Sequence, residues 1–593
     1  MVAGDGSRSR ADASTAHNRD STTLLTCPDV ESDLGGVVAS QREKSASNEK
    51  IVRDVESEES RKTISGIDLK ASYTAEDSKH MTADSAAAPG EPPYLRGAFA
   101  GGYRTKPWRI FQLSGFGNPE DEGARIRYLL GKGETGFIME HDRLTADHLY
   151  DVDHPEVESR WEDVGLTGAV QMSARDTALV LQDIDQTRYF AHPGGAVVQH
   201  APFALAAYWT VAKRRGLDLR QLSGTGQSDF FLTYLGCVTK QQIPASTGLK
   251  INCDIIEFCA DHAPNWVPIS IAGYNGADTG LNAYQELGAV FACAIEHLDE
   301  MVKRRRLSPA KVAHGLGGMN FRVGMDFMED IAKLRVARKM WHDLLKDRYR
   351  ISDKRALKLR IHVVTAGSAM TYREPMNNIV RGTLMALSSM LGGVQSLGVS
   401  GYDEALSIPS ESAHHMSVRI QQILLHETGL ANVVDPLGGS HYLESLSVRL
   451  EEEAWRFMDE IENHGGFIAT LDSGWLHEKA SDNQVALENA LLDGSRKVVG
   501  VNVHEGDSDP FNVDGFSGVG DAFERAKARL VNLRRERDGR AVAVALGELS
   551  AACEQQRNIM PYILDAVMSD VTLGEIGDVF REQFGDWKVP IFF

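Results

Sequence analysis

From residue 94 onward, short apolar or small-residue runs recur along the chain: Thr135 to Met139, Ala178 to Ile184, Gly194 to Val198, Val267 to Tyr274, Leu359 to Ala366 and Val394 to Val399. Each reads as a strand. Between several of them apolar positions recur at helical spacing, as in Phe203 to Arg215, Leu281 to Arg306 and Asn377 to Leu391. Strands that alternate with helices are parallel and joined by crossovers. That many units predict an α/β fold, a (β/α)8 TIM barrel over residues 94–440. A doubly wound sheet more often begins with a GxGxxG turn, and the sequence has none. Helical patterns dominate residues 441–593, at Leu443 to Glu462, Asp482 to Leu492, Gly520 to Arg537 and Ala541 to Glu554, with a final segment Met560 to Phe584. Glu505 to Asp521, rich in Gly, Asp and Ser, reads as a loop or linker. There is no internal repeat.

Residues 1–93 have a different texture. Tyr73 is their only aromatic, and Ser, Asp, Glu, Ala and Thr dominate. Such a segment buries too little apolar surface to offset its ordering entropy, which predicts a disordered tail. It has no apolar h-region, and Glu56, Glu58 and Glu59 argue against a transit peptide.

Composition narrows the class further. The 593 residues allow a large core, and the net charge of −20 argues against a nucleic-acid or anionic-membrane partner. No apolar run approaches ~18 residues, so no spanning helix is predicted. Cys27, Cys237, Cys253, Cys259, Cys293 and Cys553 are scattered without a CxxC pair, which suits a reduced, cytoplasmic protein.

Several presumed strands carry small or polar residues: Gly194, Gly195 and Ala196; Ser270, Ala272 and Gly273; Thr365, Ala366, Gly367 and Ser368. Barrel interiors are normally filled by bulky branched side chains. Small residues either mark strand ends or leave a channel along the axis. The densest ionisable cluster, Glu140, His141, Asp142, Asp147, His148, Asp151, Asp153 and His154, matches no ligand motif. It reads as a solvated loop, with a metal-dependent hydrolase as its rival. His414 and His415 are adjacent and cannot share a metal from a helix. Gly315, Gly317 and Gly318 read as a turn.

Lys106-Pro107-Trp108-Arg109-Ile110-Phe111-Gln112-Leu113-Ser114-Gly115-Phe116 resembles the "RPWTIRQYAGF" segment of methylmalonyl-CoA mutases. Tyr150 to Pro155, Asp163-Val164-Gly165, Gly224 to Asp229, Ile269 to Tyr274, Ala332 to Arg335, Asn377 to Arg381, Asp403-Glu404-Ala405 and Val434 to Ser440 resemble further family motifs in the same order. The resemblance runs from about Tyr94 to Phe584. It implies a barrel threaded by the pantetheine arm of an acyl-CoA thioester, with adenosylcobalamin carrying the radical chemistry. The family's DxHxxG cobalamin signature is absent. By resemblance the chain is a large subunit of the isobutyryl-CoA and 2-hydroxyisobutyryl-CoA mutase type. Its partner is a small subunit that ligates cobalt, in a heterotetramer of two large and two small subunits, and no metal site is expected on this chain.

The same resemblance assigns roles. Tyr274 and Asn275 hold the thioester, Asn275 standing where the family has a histidine, with Gln227 beside them. Glu404, followed by Ala405, binds the adenosyl ribose; Gly367 lets the corrin approach, and Asp278 replaces a second glutamate. Leu113 takes the place of a tyrosine over the substrate. The arginine that pairs with a substrate carboxylate falls at Cys237, or at Val238 if the alignment slips. Neither compensates a buried carboxylate, which disfavours a malonyl-type substrate. Glu140 lies near an aspartate that holds a substrate hydroxyl. Lys106 replaces an arginine at the coenzyme end and loses its bidentate fork, and the family's Arg-Leu-Ser becomes Gly315-Leu316-Gly317. These eroded contacts leave open a thioester on a carrier protein; the alternatives are a methylmalonyl-CoA mutase with an atypical pocket and, from another class, a catalytically dead binding subunit.

Overall fold

The computed structural model describes residues 61–78, 87–236, 242–506, 516, 518–588 and 590; Cys237 and Val238 lie outside them. Two five-stranded parallel sheets make the barrel. They share two strands, each broken in the middle. Strand β1 comprises Arg109–Ile110 and Leu113–Ser114. Its second half pairs with β2 (Gly136–Met139), Leu113 opposite Ile138. β3 (Phe190–His192) and β4 (Gly224–Thr225) follow. β5 is broken into Trp266–Val267, which pairs with β4, and Ile271–Ala272, which pairs with β6 (Gly318–Val323). β7 (Arg360–Thr365) and β8 (Ser396–Gly398) complete the second arc. The first half of β1 closes the ring on β8, Ile110 opposite Leu397. The result is eight parallel strands in chain order, the expected barrel.

Helices cover the outside: α1 (Pro119–Lys132), α2 (Ala174–Val180), α3 (Ala201–Arg214), α4 (Ala245–His262), α5 (Ala283–Arg304), α6 (Phe327–Asp347), α7 (Asn377–Leu391) and α8 (Glu411–His426). Their starts follow from local chemistry. Asn118 and Asp121 form a capping box ahead of α1, with Pro119 at its first position. Asn282 and Gln285 do the same for α5. Nearly every side chain of α3 from Ala201 to Ala212 is buried, because a C-terminal helix, Met560–Met568, packs on its outer side. A second C-terminal helix, His441–Asn463, packs on α5 and α6.

Four expectations change. Ala178 to Ile184 is not a strand but the end of α2, which Ser173 caps. Gly194 to Val198 is a loop in which Gly194 and Gly195 take φ of 82° and 76°; the strand lies just before it. The glycines read as a turn lead into β6, the longest pairing with β7. The final segment breaks at Asp570 (φ 61°), and Thr572 with Glu575 starts a new helix, Leu573–Phe584. The disorder expected of residues 1–93 does not hold over residues 61–69, while residues 1–60 and 79–86 lie outside the described residues. Residues 61–69 carry an antiparallel hairpin of Arg61–Lys62 and Asp68–Leu69, with Ile67 buried. The Ile64 N–H donates to Asp326, and Ser65 accepts from the Ala283 N–H. One isoleucine and a few short polar side chains suffice to dock it, a signal lost in a window dominated by solvated residues.

Candidate active site

A cavity of about 1080 Å³ runs along the barrel axis. Its wall takes alternate residues of the strands: Arg109, Phe111 and Leu113 of β1, or Arg360, His362 and Val364 of β7. Strand starts and strand ends therefore line one continuous space, so the channel exists. Of the small residues expected to form it, Ala196 and Ser270 are on the wall; Thr225, Gly318, Ser396 and Gly398 supply most of the remaining room.

The mouth at the strand N-termini is basic. Lys106, Arg109 and Arg360 line it, and among the described residues no carboxylate pairs with any of them. The Arg109 guanidinium lies 4.3 Å from the Phe190 ring centroid, and burial lowers its pKa. Arg360 donates to the carbonyls of Gly317 (3.2 Å) and His314 (2.8 Å); burial and then Arg109 lower its pKa. Arg109 and Arg360 are half-buried and Lys106 is exposed; cations without counter-ions favour an anionic ligand at this mouth. Further in, His192 and His362 line the wall and are held neutral, their pKa values lowered by burial to about 4 and about 3.

At the other end the wall holds Leu113, Glu140, Gln227, Tyr274, Asn275 and Glu404. Leu113 is 52% exposed, an apolar surface open to an acyl group. Glu140 lies 3.6 Å from Arg143, whose Nε is 2.8 Å from Asp147. Burial pushes Glu140 up to about 7, with Arg143 pulling it back. Asn275 Nδ2 donates to Asp229 at 2.7 Å. Burial, then the nearby carboxylates of Asp278 and Glu404, raise the pKa of the Tyr274 phenol well above 10. It thus belongs with Glu404 more than with Asn275. Burial, then Asp403 and Asp278, push Glu404 up to about 7. Among the described residues no side-chain donor pairs with its carboxylate, and the Gly401 backbone N–H pulls its pKa back.

Three expected residues are off the cavity wall. Asp278 accepts from Arg322 and Ser368, both at 2.7 Å. Gly367 sits beside Glu404: the nearest atoms a Cβ there would meet belong to that side chain, at 3.4 Å. Ala405 points to solvent. The acid and histidine cluster disperses into structure. Asp142 caps a short helix, His141 bonds the Pro193 carbonyl, and Asp151 and Asp153 pair with Arg534. Six site residues were not singled out from the sequence: Arg360 and His362 stand in the run Leu359 to Ala366, and His192 carries no motif. Arg109 and Asp229 stand inside motifs already quoted, while Arg143 carries no motif.

A closed parallel barrel is pierced by a mostly apolar channel, with a basic mouth at one end and Leu113, Glu140 and Asn275 at the other. The chain belongs to the methylmalonyl-CoA mutase family, whose model matches residues 62–586. It is 33% identical over 535 residues to the 2-hydroxyisobutanoyl-CoA mutase large subunit of Aquincola tertiaricarbonis, covering 89% of this chain and 93% of that one. It is 32% identical over 535 residues to the methylmalonyl-CoA mutase of Escherichia coli, covering 89% and 72%. A methylmalonyl-CoA mutase large subunit of Streptomyces virginiae matches at 30% over 571 residues, covering 94% and 75%. These relatives are named acyl-CoA mutases, which are isomerases, and the fold and family agree with that class.

Proposed function

We propose that this chain is the large subunit of an adenosylcobalamin-dependent mutase acting on a small branched acyl-CoA without a free carboxylate, of isobutyryl or 2-hydroxyisobutyryl type. The observation that carries the reading is the channel itself, whose one continuous wall runs from Arg109 and Arg360 at the basic mouth to Leu113, Glu140 and Asn275. Arg109, Arg360 and Lys106 would hold the phosphates of the coenzyme arm. The arm would pass the two neutral histidines, leaving the acyl group against Leu113 and Glu140. Arg143 is already shared by Glu140 and Asp147, so a third carboxylate there would lack compensation. A hydroxyl, by contrast, suits the Glu140 acceptor.

The residues present fit the family's cofactor. Gly367, which presents no side chain beside Glu404, would admit a flat macrocycle, and the Glu404 carboxylate, paired with no side-chain donor among the described residues, would accept from ribose hydroxyls. When bound, adenosylcobalamin supplies the radical that starts the rearrangement; a partner small subunit would ligate its cobalt, in a heterotetramer. The chain's own part is to bind and orient the thioester and to keep water from the reacting carbons. The test mixes the chain with a cobalamin-binding small subunit, adenosylcobalamin and a panel of branched acyl-CoA thioesters under anaerobic conditions. A substrate-dependent paramagnetic signal with isomer formation supports the reading and names the acyl group. Silence across the panel with cobalamin bound favours a carrier-protein thioester or a binding subunit without activity.

A further inference from the structure

Asp229 follows β4 in a tight turn, Ser228 having φ of 49°, and its side chain is buried. Among the described residues no cation pairs with it. Oδ1 accepts from the Ala272 N–H at 3.1 Å, and Oδ2 accepts from the Leu232 N–H at 2.8 Å and from Asn275 Nδ2 at 2.7 Å. Burial pushes its carboxyl up to about 6 while these donors pull it back, so it is ionised at neutral pH. An ionised carboxylate only accepts. It therefore admits one of the two ways in which the Asn275 amide can be turned, nitrogen toward Asp229. The amide nitrogen keeps a second N–H with no other partner among the described residues, and Asn275 lines the cavity beside Tyr274 and Gln227.

We propose that Asp229 is the positioning residue for thioester recognition, holding Asn275 so that its remaining N–H donates to the thioester carbonyl. The proposal rests on the mutase reading above. It has a geometric corollary. Nδ1 of a histidine at 275 would stand about where the Asn Nδ2 stands, so Asp229 would accept from it and aim the ring's Nε2–H onward. The pair Asp229–Asn275 is thus a neutral version of a carboxylate–imidazole donor, and Asn275→His should be tolerated and functional.

The experiment needs no cofactor. Isobutyryl-CoA carrying 13C at its thioester carbonyl is bound to the full chain, and the carbonyl stretch is read by infrared difference spectroscopy. The wild type should move the band to lower frequency relative to free thioester. Asp229→Asn and Asn275→Ala should each lose at least half of that displacement, with the dissociation constant rising about two- to twelvefold for the one neutral hydrogen bond removed. Asn275→His should restore or exceed it. If Asp229→Asn does not fold, the two Asn275 variants decide alone. A band that Asn275→Ala leaves in place overturns the pair while the mutase reading stands. A wild-type chain that binds no acyl thioester overturns both.

Discussion

Glu140 gives the sharpest quantitative expectation, because its protonation is tied to the choice of substrate. Its carboxyl is pushed up from 4.5 to about 7, burial leading and Arg143 opposing. Only the ionised form is a pure acceptor for a substrate hydroxyl. A hydrogen bond to a charged group contributes about 1.5–3 kcal/mol, so the ionised residue should favour a hydroxylated over a plain branched acyl thioester by roughly ten- to 150-fold. Above pH 7 that preference is present. At pH 6 only about a tenth of the protein keeps the charge, and the preference should shrink about tenfold. Stability runs the other way. The folded protein holds this proton more tightly than the unfolded chain, so this group's contribution falls as pH rises from 4.5 through about 7. With the side chain 18% exposed the loss is at most about 3 kcal/mol. The assay is the ratio of kcat/KM for the two thioesters at pH 6 and pH 8, on wild type and Glu140→Ala. Arg143 keeps Asp147 in that variant, so the pocket stays neutralised. A ratio equal at both pH values, or one that survives Glu140→Ala, would remove Glu140 from the substrate.

Three further outcomes are expected. Arg109→Ala should raise KM for a CoA thioester about tenfold or more with little change in kcat, and should leave a phosphate-free acyl-pantetheine unaffected; equal effects on both would place Arg109 away from the phosphates. Gly367→Leu should fold and bind thioester normally, since the first added carbon meets Glu404 only at van der Waals distance, 3.4 Å, but should lose cofactor-dependent turnover; retained turnover would separate Gly367 from the corrin. Lys333→Met should cost about 3–5 kcal/mol, because it leaves the buried Glu286 (2.7 Å) and Asp330 (3.0 Å) uncompensated. Adding Glu286→Gln and Asp330→Asn should recover much of it in denaturant unfolding, and a single-variant loss under ~1 kcal/mol contradicts the assignment.

The barrel and its helices were legible because helix starts and amphipathic stripes are local. Asn377 to Leu391 is a helix over the bounds its periodicity predicts. Strands fared worse, since most have only two to four residues and periodicity needs more. β4 has two, Gly224–Thr225, and showed only as part of a motif. β6 was hidden by glycines whose role is to leave space, Gly318 among them, at the channel wall. Motif matching found Glu404, Asn275 and Gln227 but could not say what each faces. Asp278 shows the limit: its identity suggested a cofactor contact, while its carboxylate is spent on Arg322 and Ser368. The Ala332 to Arg335 motif proves to be scaffold, Lys333 neutralising Glu286 and Arg335 tying Asp435 to Glu444.

The channel itself has a cause that lining residues do not reveal. A fully paired eight-stranded barrel draws its strands together and fills its axis with branched side chains. Here β1 and β5, half a turn apart around the ring, each hand one neighbour to their first half and the other to their second. The two sheets can therefore part along a diameter, provided that the breaks orphan no buried backbone donors. Side chains see to that at β1: the Gln112 backbone N–H donates to the Glu134 carboxylate at 2.9 Å, and Gln112 Oε1 accepts from the Val399 N–H at 2.9 Å. At β5, Pro268 has no N–H to lose, and the Ser270 N–H donates to the Gln227 carbonyl at 3.0 Å. Glu134 is buried with its pKa raised well above 4.5, a costly residue that nothing in the pocket requires. Its place at the seam accounts for it: Gln112, Glu134 and Pro268 let the barrel open without unsatisfied backbone, and the small residues on the wall then keep that opening clear.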